Sequence, residues 1–174
     1  MEIYLEIVCM KKNDFNFSKL DVIVLDFDGV LTDNSVYIGV NGEEFVRCSR
    51  ADGLAFDCLK RLKKPVFIIS SEKNKVVMAR AKKLDVSCYY GVVDKQKILD
   101  KIVKRRNLKY KNVLYVGNDL NDYHVMKKCG YKLCPADSHK DIKKISDKVL
   151  KTKGGKGVLR EVLENIFKIN ILIN

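Results

Sequence analysis

Val22-Ile23-Val24-Leu25-Asp26-Phe27-Asp28-Gly29-Val30-Leu31-Thr32 decides the fold of this chain, because an unbroken apolar run ends abruptly in two carboxylates and a glycine. Four consecutive apolar, largely β-branched residues without alternation describe a strand covered on both faces, as in a parallel sheet. Similar runs recur at Val66 to Ile69, Val86 to Tyr90, Val113 to Val116 and Tyr131 to Cys134. Between them the apolar period lengthens. Leu54, Ala55, Cys58, Leu59 and Leu62 predict a helix over 52–62, closed by Lys63-Lys64-Pro65; Val76, Val77, Ala81 and Leu84 predict one over 74–84. Ile98, Leu99, Ile102 and Val103 predict a helix over 95–106, and others are expected over 122–128 and 158–167. This alternation predicts a three-layer, Rossmann-like α/β domain with a mostly parallel sheet. One segment stands outside it. Residues 36–46 read as a β-hairpin, with Asn41 and Gly42 as the two positive-φ residues of a tight turn. Residues 21–174 are expected to form one domain, and residues 1–20 a leader or an added edge strand.

Composition narrows the setting. A chain of 174 residues, 47% hydrophobic and 32% charged, has the balance of a globular protein with a proper core. Its apolar runs fall far short of the roughly 20 residues a membrane span needs, so no membrane partner is expected. Met1-Glu2-Ile3-Tyr4-Leu5-Glu6 puts acid where a secretory leader carries positive charge, so the reading is cytoplasmic. Six cysteines without a Cys-x-x-Cys pair read as reduced thiols, without disulfides or zinc. The formal charge of +12 raises nucleic acid as a partner, yet the lysines are dispersed and no aromatic-basic motif accompanies them. Lys-rich helix faces account for the charge, no nucleic acid is expected, and the positive field would draw in an anionic substrate.

Ligands of open α/β sheets sit beyond the carboxyl ends of the strands. There the sequence places Asp26 and Asp28, then Ser70 and Ser71, then Lys95, then Gly117-Asn118-Asp119 and Asp122. Carboxylates with a hydroxyl and a lysine suit a hard cation together with an anion. Asp26 and Asp28, separated by one residue, can face one phosphorus atom: Asp26 as nucleophile, Asp28 as the acid that protonates the leaving oxygen and later activates water. Mg²⁺ would offset the repulsion between Asp26 and the phosphate, while Ser70 and Lys95 bind phosphoryl oxygens. Each motif alone also has a structural reading as a turn, a helix cap or a solvated lysine. Their order along four strand ends is what points to phosphoryl transfer.

The order Asp-x-Asp-Gly-Val, Ser, Lys, Gly-x-Asp-x-x-Asp resembles the haloacid dehalogenase superfamily of phosphatases across residues 21–167. The stretches 25–33, Gly42-Glu43-Glu44, Ala51-Asp52-Gly53, 79–84 and 154–161 are similar to the phosphatases of 3-deoxy-manno-octulosonate 8-phosphate and of nonulosonate (sialic-acid-type) 9-phosphates, and to the related domain behind some acylneuraminate cytidylyltransferases. The resemblance implies a capless domain, consistent with the short gap from Thr32 to Asp52, and a homotetramer in which the hairpins meet and Gly154 to Gly157 closes a neighbour's site. It implies Asp26, Asp28 (through its carbonyl) and the Gly117-Asn118-Asp119 motif as metal ligands, and Asp52, Gly53, Ser70, Ser71, Glu72, Arg80 and Lys95 as substrate contacts. Two departures stand out. Asn118 occupies the place of an expected carboxylate, leaving Asn118 or Asp119 as ligand, and Ser70-Ser71-Glu72 replaces Thr-Gly-Arg, which favours the nonulosonate branch. A weakly active or non-catalytic oligomerisation domain is the alternative that Asn118 leaves open.

Overall fold

Each buried strand is four residues or fewer, and the computed structural model, which describes residues 15–172, sets them side by side in one sheet. The elements in chain order are β1 (Val22–Leu25), β2 (Tyr37–Ile38), β3 (Glu44–Phe45), α1 (Arg50–Arg61), β4 (Val66–Ile69), α2 (Val76–Leu84), β5 (Ser87–Tyr89), α3 (Lys95–Arg105), β6 (Val113–Val116), α4 (Tyr123–Lys128), β7 (Tyr131–Cys134), α5 (Lys140–Ile145), β8 (Lys148–Val149) and α6 (Val158–Glu161). The main sheet runs β5-β4-β1-β6-β7-β8 with every pairing parallel. β1 is central, with Val24 opposite both Phe67 and Tyr115.

Alternate residues of each strand feed two cores, as the two-residue period of a strand requires. Ile23, Leu25, Ile68, Leu114 and Val116 face α1, α2 and α6, whose Ala55, Leu59, Val77, Val158 and Leu159 pack against them. Val22, Val24, Phe67, Ile69, Val113 and Tyr115 face α3, α4 and α5 through Leu99, Ile102, Val125, Met126 and Ile142. This is the predicted three-layer arrangement, and among the described residues no cap domain interrupts it.

The differences lie where the sequence signal is short. α5 and β8 were not expected: Lys140–Ile145 has only Ile142 buried, and the two residues of β8 are exposed at the sheet edge, too little for a periodic pattern. The segment expected as a helix over 158–167 begins as α6 and widens into a π-turn over Val162–Ile166. In the hairpin, β2 and β3 pair antiparallel as predicted, but only Gly42 has positive φ (78°). The Gly42 amide donates to the Gly39 carbonyl and the Gly39 amide to the Glu43 carbonyl. That is a three-residue loop with a left-handed glycine, which needs no left-handed asparagine.

Residues 1–14 of the expected leader or edge strand lie outside the described residues. Residues 15–20 form no strand: Phe17–Lys19 is a single 3₁₀ turn, with Phe15 and Phe17 packed edge-on to Phe167.

Candidate active site

The strands leave β1 outward in two directions, through β4 and β5 on one side and through β6 to β8 on the other. The crevice such a reversal opens lies beyond the carboxyl ends of β1 and β6, where Asp26 and Asn118 stand. A cleft of about 480 Å³ occupies this place, lined by Asp26, Asp28, Ser70, Ser71, Glu72, Asn118 and Asp119 among others. Seven of the predicted site residues thus meet in one cavity. Hairpin residues Val36, Glu44 and Val46 form a further wall, which sequence reasoning did not assign to the site. The Thr32–Cys48 bridge closes the stalk of that hairpin just after the Asp-x-Asp loop.

Asp26 is fixed from several directions. Its amide donates to the Val116 carbonyl (2.9 Å), and its Oδ1 accepts from the Phe27 amide (2.7 Å) and from Lys95 Nζ (2.8 Å). Both side-chain contacts fall on Oδ1, so Oδ2 is the oxygen they leave for the cleft. Lys95 comes from the first turn of α3, started by Asp94, whose side chain accepts from the Lys97 amide. Its ammonium is buried and also reaches Asp122 Oδ1 (2.8 Å). Lys95 therefore sits behind the nucleophile candidate, bridging two carboxylates, and is not a wall of the cleft. Burial alone would lower its pKa, but Asp26 and Asp122 outweigh burial and hold the ammonium above the usual lysine value. Burial, then Asp122, pushes the Asp26 carboxyl up, against the pull of Lys95.

Asp28 stands at the rim, only partly buried. Its two oxygens lie 3.4 Å from Thr32 Oγ1 and 3.5 Å from Ser70 Oγ, long contacts that leave the carboxyl room to move. Burial, then the Glu72 charge, raises its pKa, the direction a general acid needs. Glu72 itself folds back, its Oε1 accepting the Lys73 (2.6 Å) and Asn74 (2.8 Å) amides, and Asn74 Nδ2 donates to Glu44 Oε2 (2.8 Å), tying this loop to the hairpin.

Besides Lys95, three predicted substrate contacts do not line the cleft. Asp52 is 1% exposed, and its Oδ1 accepts from the Leu159 (2.8 Å) and Arg160 (3.4 Å) amides at the start of α6. Gly53 follows it in the first turn of α1, and Arg80 donates to the Ser49 carbonyl (2.8 Å). The reason is helical geometry: α1 starts at Ser49, whose side chain caps Ala51, and turns residue 52 toward α6. Gly154 and Gly155 pack behind the Asp-x-Asp loop of their own chain. The Gly155 amide donates to the Val30 carbonyl and the Gly154 amide to Asp137 Oδ1. A Cβ on Gly154 would overlap the Gly29 carbonyl, and one on Gly155 would lie 2.6 Å from the Asp33 amide.

Among the described residues no three His, Cys, Asp or Glu side chains close on one point as a metal cage. Three residues that could offer a mixed oxygen set, Asp26 through its carboxylate, Asp28 through its carbonyl and Asn118 through its amide, nevertheless line one cleft. Asn118 is buried, its side chain lying where a Cβ on Gly29 would stand, whereas Asp119 is exposed and spends an oxygen on the Leu120 amide (2.7 Å). Asp26, Asp28 and Asp122 bring three carboxylates to a site where Lys95 supplies one cation, so a hard divalent ion fits both the donor chemistry and the charge.

The model of the haloacid dehalogenase-like hydrolase family matches residues 59–162. The 3-deoxy-D-manno-octulosonate 8-phosphate phosphatase of Escherichia coli is 35% identical over 144 residues, 82% of this chain and 77% of that protein. The crystal structure of a haloacid dehalogenase-family hydrolase from Streptomyces avermitilis superposes with a TM-score of 0.83 at 35% identity, covering 86% of each chain. That of the octulosonate 8-phosphate phosphatase from Moraxella catarrhalis, in complex with magnesium ion, phosphate ion and the octulosonate, superposes with a TM-score of 0.82 at 27% identity, covering 86% of this chain and 87% of that one.

Proposed function

Because the chain belongs to the haloacid dehalogenase-like hydrolase family, we propose that it is a Mg²⁺-dependent, cytoplasmic phosphatase of a sugar-acid phosphate, working through a phosphoryl group on Asp26. The observation that carries this reading is the Asp26–Lys95 pair at 2.8 Å, with Asp28 two residues on and facing the same cleft. Lys95 and the Phe27 amide hold Oδ1 and orient the carboxylate for attack. As the bond from Asp26 to phosphorus forms, the ester P–O bond breaks and the leaving oxygen takes the proton of Asp28. Water then attacks the phosphorus, Asp28 takes the proton back, and the Asp26–phosphorus bond breaks to release inorganic phosphate. Ser70, at the cleft wall, supplies a hydroxyl to a phosphoryl oxygen. Mg²⁺, held by Asp26, the Asp28 carbonyl and Asn118, would lower the charge repulsion between carboxylate and phosphate.

On substrate, Glu72 in Ser70-Ser71-Glu72 places acid where the octulosonate phosphatases tend to carry arginine, so it repels the substrate carboxylate that an arginine would grip, and the stretch Ser70-Ser71-Glu72-Lys73-Asn74 is similar instead to the nonulosonate phosphatases. We therefore favour a nonulosonate 9-phosphate over octulosonate 8-phosphate, the substrate named for the relatives above. The test is hydrolysis of octulosonate 8-phosphate, N-acetylneuraminate 9-phosphate and its deaminated analogue with Mg²⁺. A highest kcat/KM on octulosonate 8-phosphate overturns the substrate assignment; no hydrolysis of any of them, or of p-nitrophenyl phosphate, overturns the phosphatase. The β2–β3 hairpin exposes Tyr37, Ile38, Val40 and Phe45, the surface a homotetramer would bury. Sedimentation as a monomer removes that part of the proposal.

A further inference from the structure

Tyr115 is the third residue of β6 and fully buried, yet it carries a hydroxyl into a layer otherwise formed by Val22, Val24, Val113, Val125 and Met126. Phenylalanine would fill the same space without a polar atom to satisfy. The hydroxyl donates to Asp122 Oδ1 (3.0 Å), the oxygen that also receives Lys95 Nζ (2.8 Å). Asp122 is itself wholly buried, and its Oδ2 accepts the Asn118 amide (2.9 Å). Room for Asp122 is built into the strand end: a Cβ on Gly117 would lie 2.7 Å from its carboxyl carbon. One carboxylate thus connects the Lys95 ammonium, which holds the Asp26 nucleophile, with the backbone that presents Asn118 to the cleft.

Resting on the phosphatase reading, we infer that Tyr115 is a positioning residue of this catalytic centre: its hydroxyl fixes Asp122 Oδ1, and through Asp122 sets the places of Lys95 and the Asn118 loop. The chain of contacts is continuous, from Tyr115 Oη to Asp122, from Asp122 to Lys95, and from Lys95 to Asp26 Oδ1. Burial, then the neighbouring Asp122 and Asp26 charges, keeps the phenol protonated, so it remains a donor. A hydroxyl suits the task because it adds no charge to a node where Lys95 already bridges two carboxylates. An ammonium here would compete with Lys95, and an aliphatic residue would leave Oδ1 with one donor fewer.

The test is Tyr115→Phe, assayed on p-nitrophenyl phosphate with saturating Mg²⁺. We expect kcat to fall about tenfold with KM within about twofold, because a misaligned nucleophile lowers the rate of the chemical step more than ground-state binding. Asp122→Ala, which removes both oxygens, serves as the second variant. Adding Tyr115→Phe to it should lower kcat no further, since the hydroxyl acts only through that carboxylate. A kcat for Tyr115→Phe within twofold of the parent, or independent, multiplicative losses in the double variant, overturns the inference and leaves Tyr115 as core packing. An inactive parent protein would be a failure of the phosphatase reading itself. The same double-variant cycle read by urea unfolding then decides the contact without turnover, and additive effects on stability there overturn it as well.

Discussion

Replacing Asp52 by asparagine should flatten the pH dependence of stability. Asp52 lies in the first turn of α1, 1% exposed, with Oδ1 accepting two amides of α6 and Oδ2 buried without a partner. Burial raises its pKa from 3.8 to about 6, against the opposing pull of the Arg160 and Leu159 amides and the Arg80 charge. Between these values the folded chain keeps a proton that the unfolded chain has released. Folding therefore takes up a proton in this window, and raising the pH through it destabilises the fold. At about 1.4 kcal/mol per pH unit, the cost reaches about 3 kcal/mol at neutral pH and vanishes below the unfolded value. Asparagine keeps an oxygen to accept from α6 and never ionises. Relative to the parent, Asp52→Asn should gain about 2 kcal/mol between about pH 4.5 and 7.5, the share of the cost that falls in that interval. Urea unfolding of both proteins at the two pH values, followed by far-UV circular dichroism, measures it. A stability difference that stays constant across the two would refute the reasoning, because it would mean that α6 holds Asp52 ionised despite its burial. Weakened substrate binding in the same variant would mark Asp52 as a substrate contact after all, which its place outside the cleft argues against.

Asp26→Asn should keep the fold and lose turnover on p-nitrophenyl phosphate by more than about a thousandfold; retained activity would show that the nucleophile is misassigned. Asn118→Asp should lower the Mg²⁺ concentration needed for half-maximal activity, since a charged oxygen replaces a neutral one; an unaltered requirement would point to Asp119 as the ligand. Gly154→Ala should cost about 1–3 kcal/mol in unfolding free energy and lower kcat, because its methyl group meets the Gly29 carbonyl behind the catalytic loop. Parental stability and kcat would show that this segment does not brace the loop.

Much of the fold was legible because its strands are short, wholly apolar and separated by amphipathic helices, so periodicity alone gave the layers. What escaped was weak in pattern: α5 with one buried residue, β8 with two exposed ones, and the three-residue hairpin loop that uses Gly42 but not a left-handed Asn41. The candidate site was legible at the strand ends, where the order Asp26, Asp28, Ser70, Asn118 and Asp119 named residues that share one cleft. It was less legible where a side chain's direction depends on another element. Asp52 and Arg80 sit near the right place in sequence, but the Ser49 cap and α6 turn Asp52 inward, while the Ser49 carbonyl engages Arg80.

The sequence by itself determined the α/β layering and the order of the candidate reactive groups along the strand ends, because these depend on local period and on residues adjacent in the chain. Only the tertiary structure decided how those groups are charged and held. The Lys95 ammonium lies between Asp26 and Asp122, residues 69 positions to one side and 27 to the other, and Tyr115 reads in sequence as one more apolar strand residue. Contacts between residues so far apart are set by which strands lie side by side, and no local pattern carries that information.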